Sequence, residues 1–292
     1  MRKIIPLLLS GLMLSCGKPD TKSKPTDLEI LTEKVSRLQL EQCSANSATW
    51  ICQRVEDGDA ALWHGLTCLG LKDVDVCANV SSFVEESGRP RRTPARRGTV
   101  EEDSYSRDMF LGFLAGSLQN RDVVTYNKVL SYLQNNDSKL CPSSTDSRCN
   151  LTFAVKVLAV KVGKAIGSNH PLISQWADGD INIQLLAQSK VSRPGYESHL
   201  VGVELWLLKE LKAFDVQGEA AAETLHKKQP QNAFFAWLAG DKSAAASLAA
   251  SQAPEGRTVA HNRWTFNTKD DEQPWTGSIG WEFKVLLTLL KN

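Results

Sequence analysis

The sequence reads as an all-α protein built from repeated αα-hairpins. Six segments are apolar on nearly every side, at 59–69, 106–118, 151–166, 197–211, 232–239 and 278–290. Their starts lie about 45 residues apart, with one shorter step before 232. Between them run five segments with a polar face, at 72–86, 122–134, 181–189, 216–228 and 242–251. A helix that is apolar all round must be buried, whereas a one-sided helix covers a surface. Alternation of the two kinds at a fixed period marks stacked helical hairpins.

The chain opens with Arg2 and Lys3, continues as an apolar run over 4–13 broken by Pro6, Ser10 and Gly11, and closes on Leu14-Ser15-Cys16-Gly17. A basic start, a short apolar middle and a small residue before a cleavage point form a secretory signal. A membrane span needs about 20 apolar residues, roughly twice what this run supplies. With cysteine in the closing position, the stretch resembles a bacterial lipoprotein signal with a relaxed lipobox. The resemblance implies a lipidated Cys16 at the mature N-terminus, membrane contact through that lipid, and residence in the cell envelope. Gly17 rather than Asp after the cysteine implies outer-membrane sorting, by likeness to enterobacterial lipoproteins. An ordinary secreted protein is the alternative. Residues 1–15 are thus expected to be a signal peptide, 16–26 a lipidated cysteine and flexible tether, and 27–292 a single helical domain.

The tether, 18–26, is polar with two prolines. Residues 27–42 follow as an amphipathic helix, with Leu28, Leu31, Val35, Leu38 and Gln42 on one face, ending near Cys43. Arriving first, it can cover the last buried helix. The segment 151–166 carries alternating valines that also suit a strand, but its 16 residues are long for one. Turns are expected at 167–171 and 192–195, and two long irregular stretches at 87–103 and 254–277.

Without Arg2 and Lys3 the chain has 32 basic and 33 acidic side chains, a balance unlike that of a general nucleic-acid binder. Hydrophobic residues make up 42%, enough for a sizeable core. Setting Cys16 aside leaves six cysteines, grouped as Cys43/Cys52, Cys68/Cys77 and Cys141/Cys149. Six cysteines allow 15 connectivities. Local pairing is the expectation in an oxidising compartment. A zinc site is disfavoured because no Cys-x-x-Cys and no suitably spaced histidine occurs, so neither metal nor cofactor is expected.

The alternation of buried and covering helices resembles the α/α-toroid architecture of many polysaccharide hydrolases and lyases. That resemblance implies a glycan cleft at one end of a barrel, lined by the starts of the buried helices. Those starts carry Asp57-Gly58-Asp59 with Trp63-His64, Ser106-Arg107-Asp108, Tyr196-Glu197-Ser198-His199, and Trp281-Glu282. Glycoside hydrolysis needs two carboxyl groups across the sugar bond. Asp59, Asp108 and Glu197 are the catalytic candidates, with Glu282 a further acid. Trp63, His64, Arg107, Tyr196, His199, Trp281 and Glu282 are candidates for substrate binding. In a lyase, Tyr196 or His199 would serve as base or acid and Arg107 would neutralise a substrate carboxylate.

Each candidate has a plainer explanation. Acids at helix starts cap backbone N–H groups, and Asp178-Gly179-Asp180 repeats the first motif away from a buried segment. His199 lies among Leu200, Val201 and Val203, as a core histidine would. Trp50, Trp63, Trp176, Trp264, Trp275 and Trp281 could stack on sugar rings or fill space, while Trp206 and Trp237 look like core. Arg89, Arg91, Arg92, Arg96 and Arg97 form either an anion site or a solvated loop neutralised by Glu101, Glu102 and Asp103. There is no phosphate-binding Gly-x-x-x-x-Gly-Lys loop, no Gly-x-Gly-x-x-Gly, no His-Glu-x-x-His and no Gly-x-Ser-x-Gly. The sequence therefore points to a lipid-anchored envelope protein that binds or acts on a glycan. The alternative is a non-enzymatic lipoprotein that binds a protein partner.

Overall fold

A computed structural model describes residues 24–38, 42–52, 59–99, 105–141, 145–253 and 281–292, the last without the Trp281 side chain. The signal region with Cys16, Asp57-Gly58, Glu101 to Asp103, Trp264, Trp275 and the stretch 254–277 lie outside the described residues.

The chain is mostly helical, with one two-stranded hairpin among the described residues. The six apolar segments are helices α2 (Ala60–Leu71), α4 (Arg107–Asn120), α6 (Phe153–Ile166), α9 (Tyr196–Glu210), α11 (Ala233–Leu238) and α13 (Trp281–Lys291). In α4 every residue from Asp108 to Ser117 is buried. The valine-rich α6 is a helix after all, opened by a Thr152 cap and closed by Gly167 at φ 85°. Four covering segments form α5 (Val123–Asn135), α8 (Asn182–Val191), α10 (Val216–Lys228) and α12 (Lys242–Gln252). Helix α5 buries only Tyr126, Val129, Leu130 and Leu133, the stripe of a one-sided helix.

Three regions depart from expectation. The first helix, α1 (Asp27–Ser36), opens on a Thr26–Glu29 capping box and stops six residues short of Gln42. Gln42 and Cys43 instead begin a hairpin of β1 (Gln42–Ala45) and β2 (Ala48–Ile51). Its turn residues Asn46 and Ser47 have φ of 50° and 61°, the paired positive values that suit a two-residue hairpin turn. The covering segment 72–86 is broken. Lys72 adopts φ 56°, Asp73 caps the short α3 (Val74–Ala78), and a 3-10 turn runs over Val80–Phe83. Finally, α7 (Pro171–Gln175) occupies part of an expected turn, with Pro171 at its first position. The three disulfides join Cys43 to Cys52, Cys68 to Cys77 and Cys141 to Cys149.

Helix α2 packs against α4 and α13, α4 against α6 and α9, α6 against α9, and α11 against both α9 and α13. The α2–α4 contact is the tightest. A Cβ on Gly65 would lie 1.8 Å from the Gly112 carbonyl oxygen, and one on Gly112 would lie 2.4 Å from Leu62 Cα. Gly112 faces Leu62 while Gly116 faces Gly65, so the two helices run in the same direction. Their first turns consequently lie together. At the other end, Trp206 packs edge-on against Phe234 and Trp237, at 5.7 and 6.2 Å between ring centres. Helix α1 lies on α12 and α13, where Lys34 Nζ donates to the carbonyls of Ala250 and Ala253 at 3.0 and 3.1 Å. No described helix is long and apolar enough to cross a membrane.

Candidate functional site

Helix caps divide the elements into two groups. Carboxylates of Asp73, Asp122, Asp215 and Asp241 accept backbone N–H bonds at the starts of α3, α5, α10 and α12. The cap residues of α2, α4 and α9, which are Asp59, Ser106 and Gly195, make no such bond. At α2 and α4 the polar side chains are committed elsewhere. Arg92 Nη2 donates to Asp59 Oδ1 at 2.8 Å, and the Ser106 hydroxyl donates to Asp108 Oδ1. Tyr196, the first residue of α9, donates its hydroxyl to Asp108 Oδ2 at 2.5 Å. The Arg92 carbonyl accepts from Ala61 N at 3.0 Å, which ties the arginine loop to the first turn of α2.

The close α2–α4 approach puts Asp59 and Asp108 within electrostatic reach of one another. Asp59 has its pKa raised by burial, against the pull of Arg92, and the neighbouring Asp108 charge adds to the rise. Its side chain still keeps 46% of its surface open, so solvent reaches the carboxyl. Burial and then the Asp108 charge raise the Tyr196 phenol, which therefore stays protonated and donates. Arg148, clamped on Asp146 by Nε and Nη2 at 2.6–3.0 Å, adds positive potential at the rim near Asp108 and Tyr196. A carboxyl whose pKa is raised by burial thus stands beside Asp108, which accepts from two hydroxyls, an arrangement suited to proton donation and abstraction.

Of the sugar-site candidates, Asp59, Asp108 and Tyr196 gather here. Glu197 does not join them: it turns outward to Arg193, whose Nε lies 2.8 Å from Oε1. Arg107 lines a separate cavity between α4, α6, α8 and α9. Trp63 and His64 are buried in the core, where His64 Nδ1 accepts from Ile51 N at 3.1 Å. His199 is wholly buried, and so is the Glu282 side chain in the first turn of α13. The Trp281 side chain and Cys16 lie outside the described residues. Trp50 is buried as well, so neither it nor Trp63 offers a stacking face. In the second Asp-Gly-Asp motif, Asp180 accepts from Asn182 N at 2.8 Å, and Asp178 pairs with Lys161 and Lys164.

The arginine loop is not simply solvated. Arg91 is buried against Glu85 at 2.7 Å, and Arg92 faces Asp59. Arg148 and Glu204 were not singled out as site residues by sequence, and Arg92 was named only as part of the arginine loop. The one signal for Glu204 was an acid in the middle of the apolar run Val201 to Leu208.

Buried ionisable groups also set the response to pH. Burial lowers His64 from 6.5 to about 4 and His199 to about 3, and raises Glu204 from 4.5 to about 8. Below pH 6.5 the unfolded chain binds more protons at the histidines, so acid destabilises the fold. Between pH 4.5 and about 8 the folded chain holds the extra proton on Glu204, so rising pH destabilises it. With two histidines acting against one carboxyl, these groups give maximum stability near pH 6.5 and a decline of about 1.4 kcal/mol per pH unit on each side. Urea midpoints at pH 5, 6.5 and 8 check this, and Glu204→Gln should remove the alkaline decline. A wild-type midpoint still climbing at pH 8 would contradict it.

No family model, curated protein or solved structure matches the chain.

Proposed function

We propose that this is an exported envelope protein, anchored by lipid at Cys16, that binds or acts on a glycan at the Asp59–Asp108–Tyr196 site. The observation that carries the reading is the diversion of two cap side chains at neighbouring helix starts, Asp59 to Arg92 and Ser106 to Asp108, where the two carboxyls lie close enough to interact. Asp59 suits the role of proton donor to a glycosidic oxygen, with Asp108 as base or nucleophile. Arg92 and Tyr196 would hold these two carboxyls in place. The packing order, from α2 through α4, α6, α9, α11 and α13 back to α2, supports an α/α-toroid with this site at one mouth. The placement of α1 on α13 supports its role as the closing cover.

A screen of glycans and peptidoglycan with the soluble form starting at Gly17 tests the reading. Hydrolysis or cleavage by the wild type should fall by roughly 10²–10⁴ in Asp108→Asn and in Asp59→Asn, with unchanged circular dichroism. Turnover that survives both substitutions would reject the assignment. A binding-only role predicts retention of wild type, but not of Asp108→Ala, on one glycan. The anchor is tested separately: Cys16→Ser should move the protein from the membrane fraction to the soluble one. Exposed Val74, Val124, Ile183 and Val216 on the covering helices favour the second reading, a protein partner bound by that outer surface.

A further inference from the structure

Arg107 and Glu197 are sequence neighbours of Asp108 and Tyr196, yet they line a different space. It is a cavity of about 260 Å³ between α4, α6, α8 and α9. Leu111, Val155, Leu200 and Val201 wall it, and Val191, 81% exposed, forms an apolar lip. Glu204 and Arg107, two charged-type side chains, line it. Glu204, only 7% exposed, lines the cavity without a hydrogen-bond or ion-pair partner among the described residues. The Arg107 guanidinium likewise has no such partner, although it lies near enough to Glu204 to influence it. Glu197 is already neutralised by Arg193. Glu204 is buried and Arg107 half-buried, so a ligand that hydrogen-bonds to both would replace the hydration they give up.

We infer that this cavity binds a small monocarboxylate with an apolar body, its carboxylate held between Arg107 and Glu204 and its hydrocarbon against Leu111, Val155, Leu200 and Val201. Arginine presents forked donors that match a carboxylate. Burial keeps Glu204 mostly protonated at neutral pH, so its O–H can donate to the second carboxylate oxygen. A cationic ligand would place a second positive charge beside Arg107, and a neutral one would leave that guanidinium unpaired. The volume, about 260 Å³, falls just below the range of about 300–1,000 Å³ usual for drug-sized ligands, which suits a short hydrocarbon body. The site is independent of the Asp59–Asp108 reading and stands or falls apart from it.

Hexanoate is the probe, titrated into the mature protein at pH 6.5 by calorimetry and by NMR, with hexanol and hexylamine as controls. Hexanoate should bind at least tenfold more tightly than either control. Arg107→Ala should weaken it at least tenfold. From α4, Arg107 is the charged group facing Glu204; α6 and α8 present Thr152, Val155, Gln188 and Ser192; α9 itself adds Glu197 with its Arg193 partner. Affinity should therefore fall about tenfold per unit above pH 8, as Glu204 ionises, and Glu204→Gln should bind with a flat pH profile. Should Glu204→Gln not fold, the Arg107→Ala titration and the wild-type pH profile decide alone. Hexylamine binding as tightly as hexanoate, hexanoate binding unchanged in Arg107→Ala, or no hexanoate binding at all would overturn the proposal.

Discussion

Gly112→Ala is expected to cost at least about 3 kcal/mol and to drive Asp59 and Asp108 apart. The added methyl would sit 2.4 Å from Leu62 Cα and 2.5 Å from the Ala61 carbonyl oxygen. Both obstacles are backbone, so no rotamer change can make room, and the two helices must separate along their whole contact. For a chain of this size the loss corresponds to a fall in Tm of roughly 6–10 °C. Gly98→Ala is the control. Its φ is 74° but nothing lies within 4 Å of an added Cβ, so only the left-handed backbone is strained, at about 1–2 kcal/mol. Calorimetric melts of the two variants give the comparison. A Gly112→Ala protein as stable as Gly98→Ala would mean that α2 and α4 do not touch through their backbones.

Removing all three disulfides should cost more still. Each closes a loop with a sequence separation of 8 or 9 residues, and the chain-entropy model assigns about 2.5 kcal/mol to a loop of that length. Together they supply roughly 7.5 kcal/mol, against a total stability of about 5–15 kcal/mol for a typical domain. The six sulfur-bearing side chains are all buried, so reductant should reach them only through opening of the fold. Thiol alkylation followed by mass spectrometry should therefore show slow reduction in buffer and fast reduction in urea. The fully reduced protein should unfold at a much lower urea concentration. Rapid reduction with no change in the urea midpoint would assign the bridges no structural role.

The six buried helices were legible because a segment without a polar face has only one place to go. Their limits shift by only two or three residues, as at 106–118 against Arg107–Asn120. The same all-round apolarity hides rotation. Successive helical residues point about 100° apart, and no hydrophobic stripe indicates which of Tyr196 and Glu197 turns toward Asp108. Tyr196 does, and Glu197 faces Arg193. Trp63 and His64 illustrate the same uncertainty, since a buried helix can direct them inward as readily as toward a cleft. Arg92 was obscured differently: its partner Asp59 is 33 residues away, while acids close by in sequence suggested local neutralisation. The hairpin had a signal in Thr49-Trp50-Ile51, but its first strand begins at Gln42, inside the helical periodicity that ends near Cys43.

Lys34 grips carbonyls more than 200 residues downstream, so α1 has no seat until α12 and α13 exist. Synthesis delivers Leu31 and Val35 long before the two helices on which α1 lies. These two apolar side chains therefore remain uncovered until α12 and α13 have been made. A polypeptide released before α12 would advertise its incompleteness through an unseated α1.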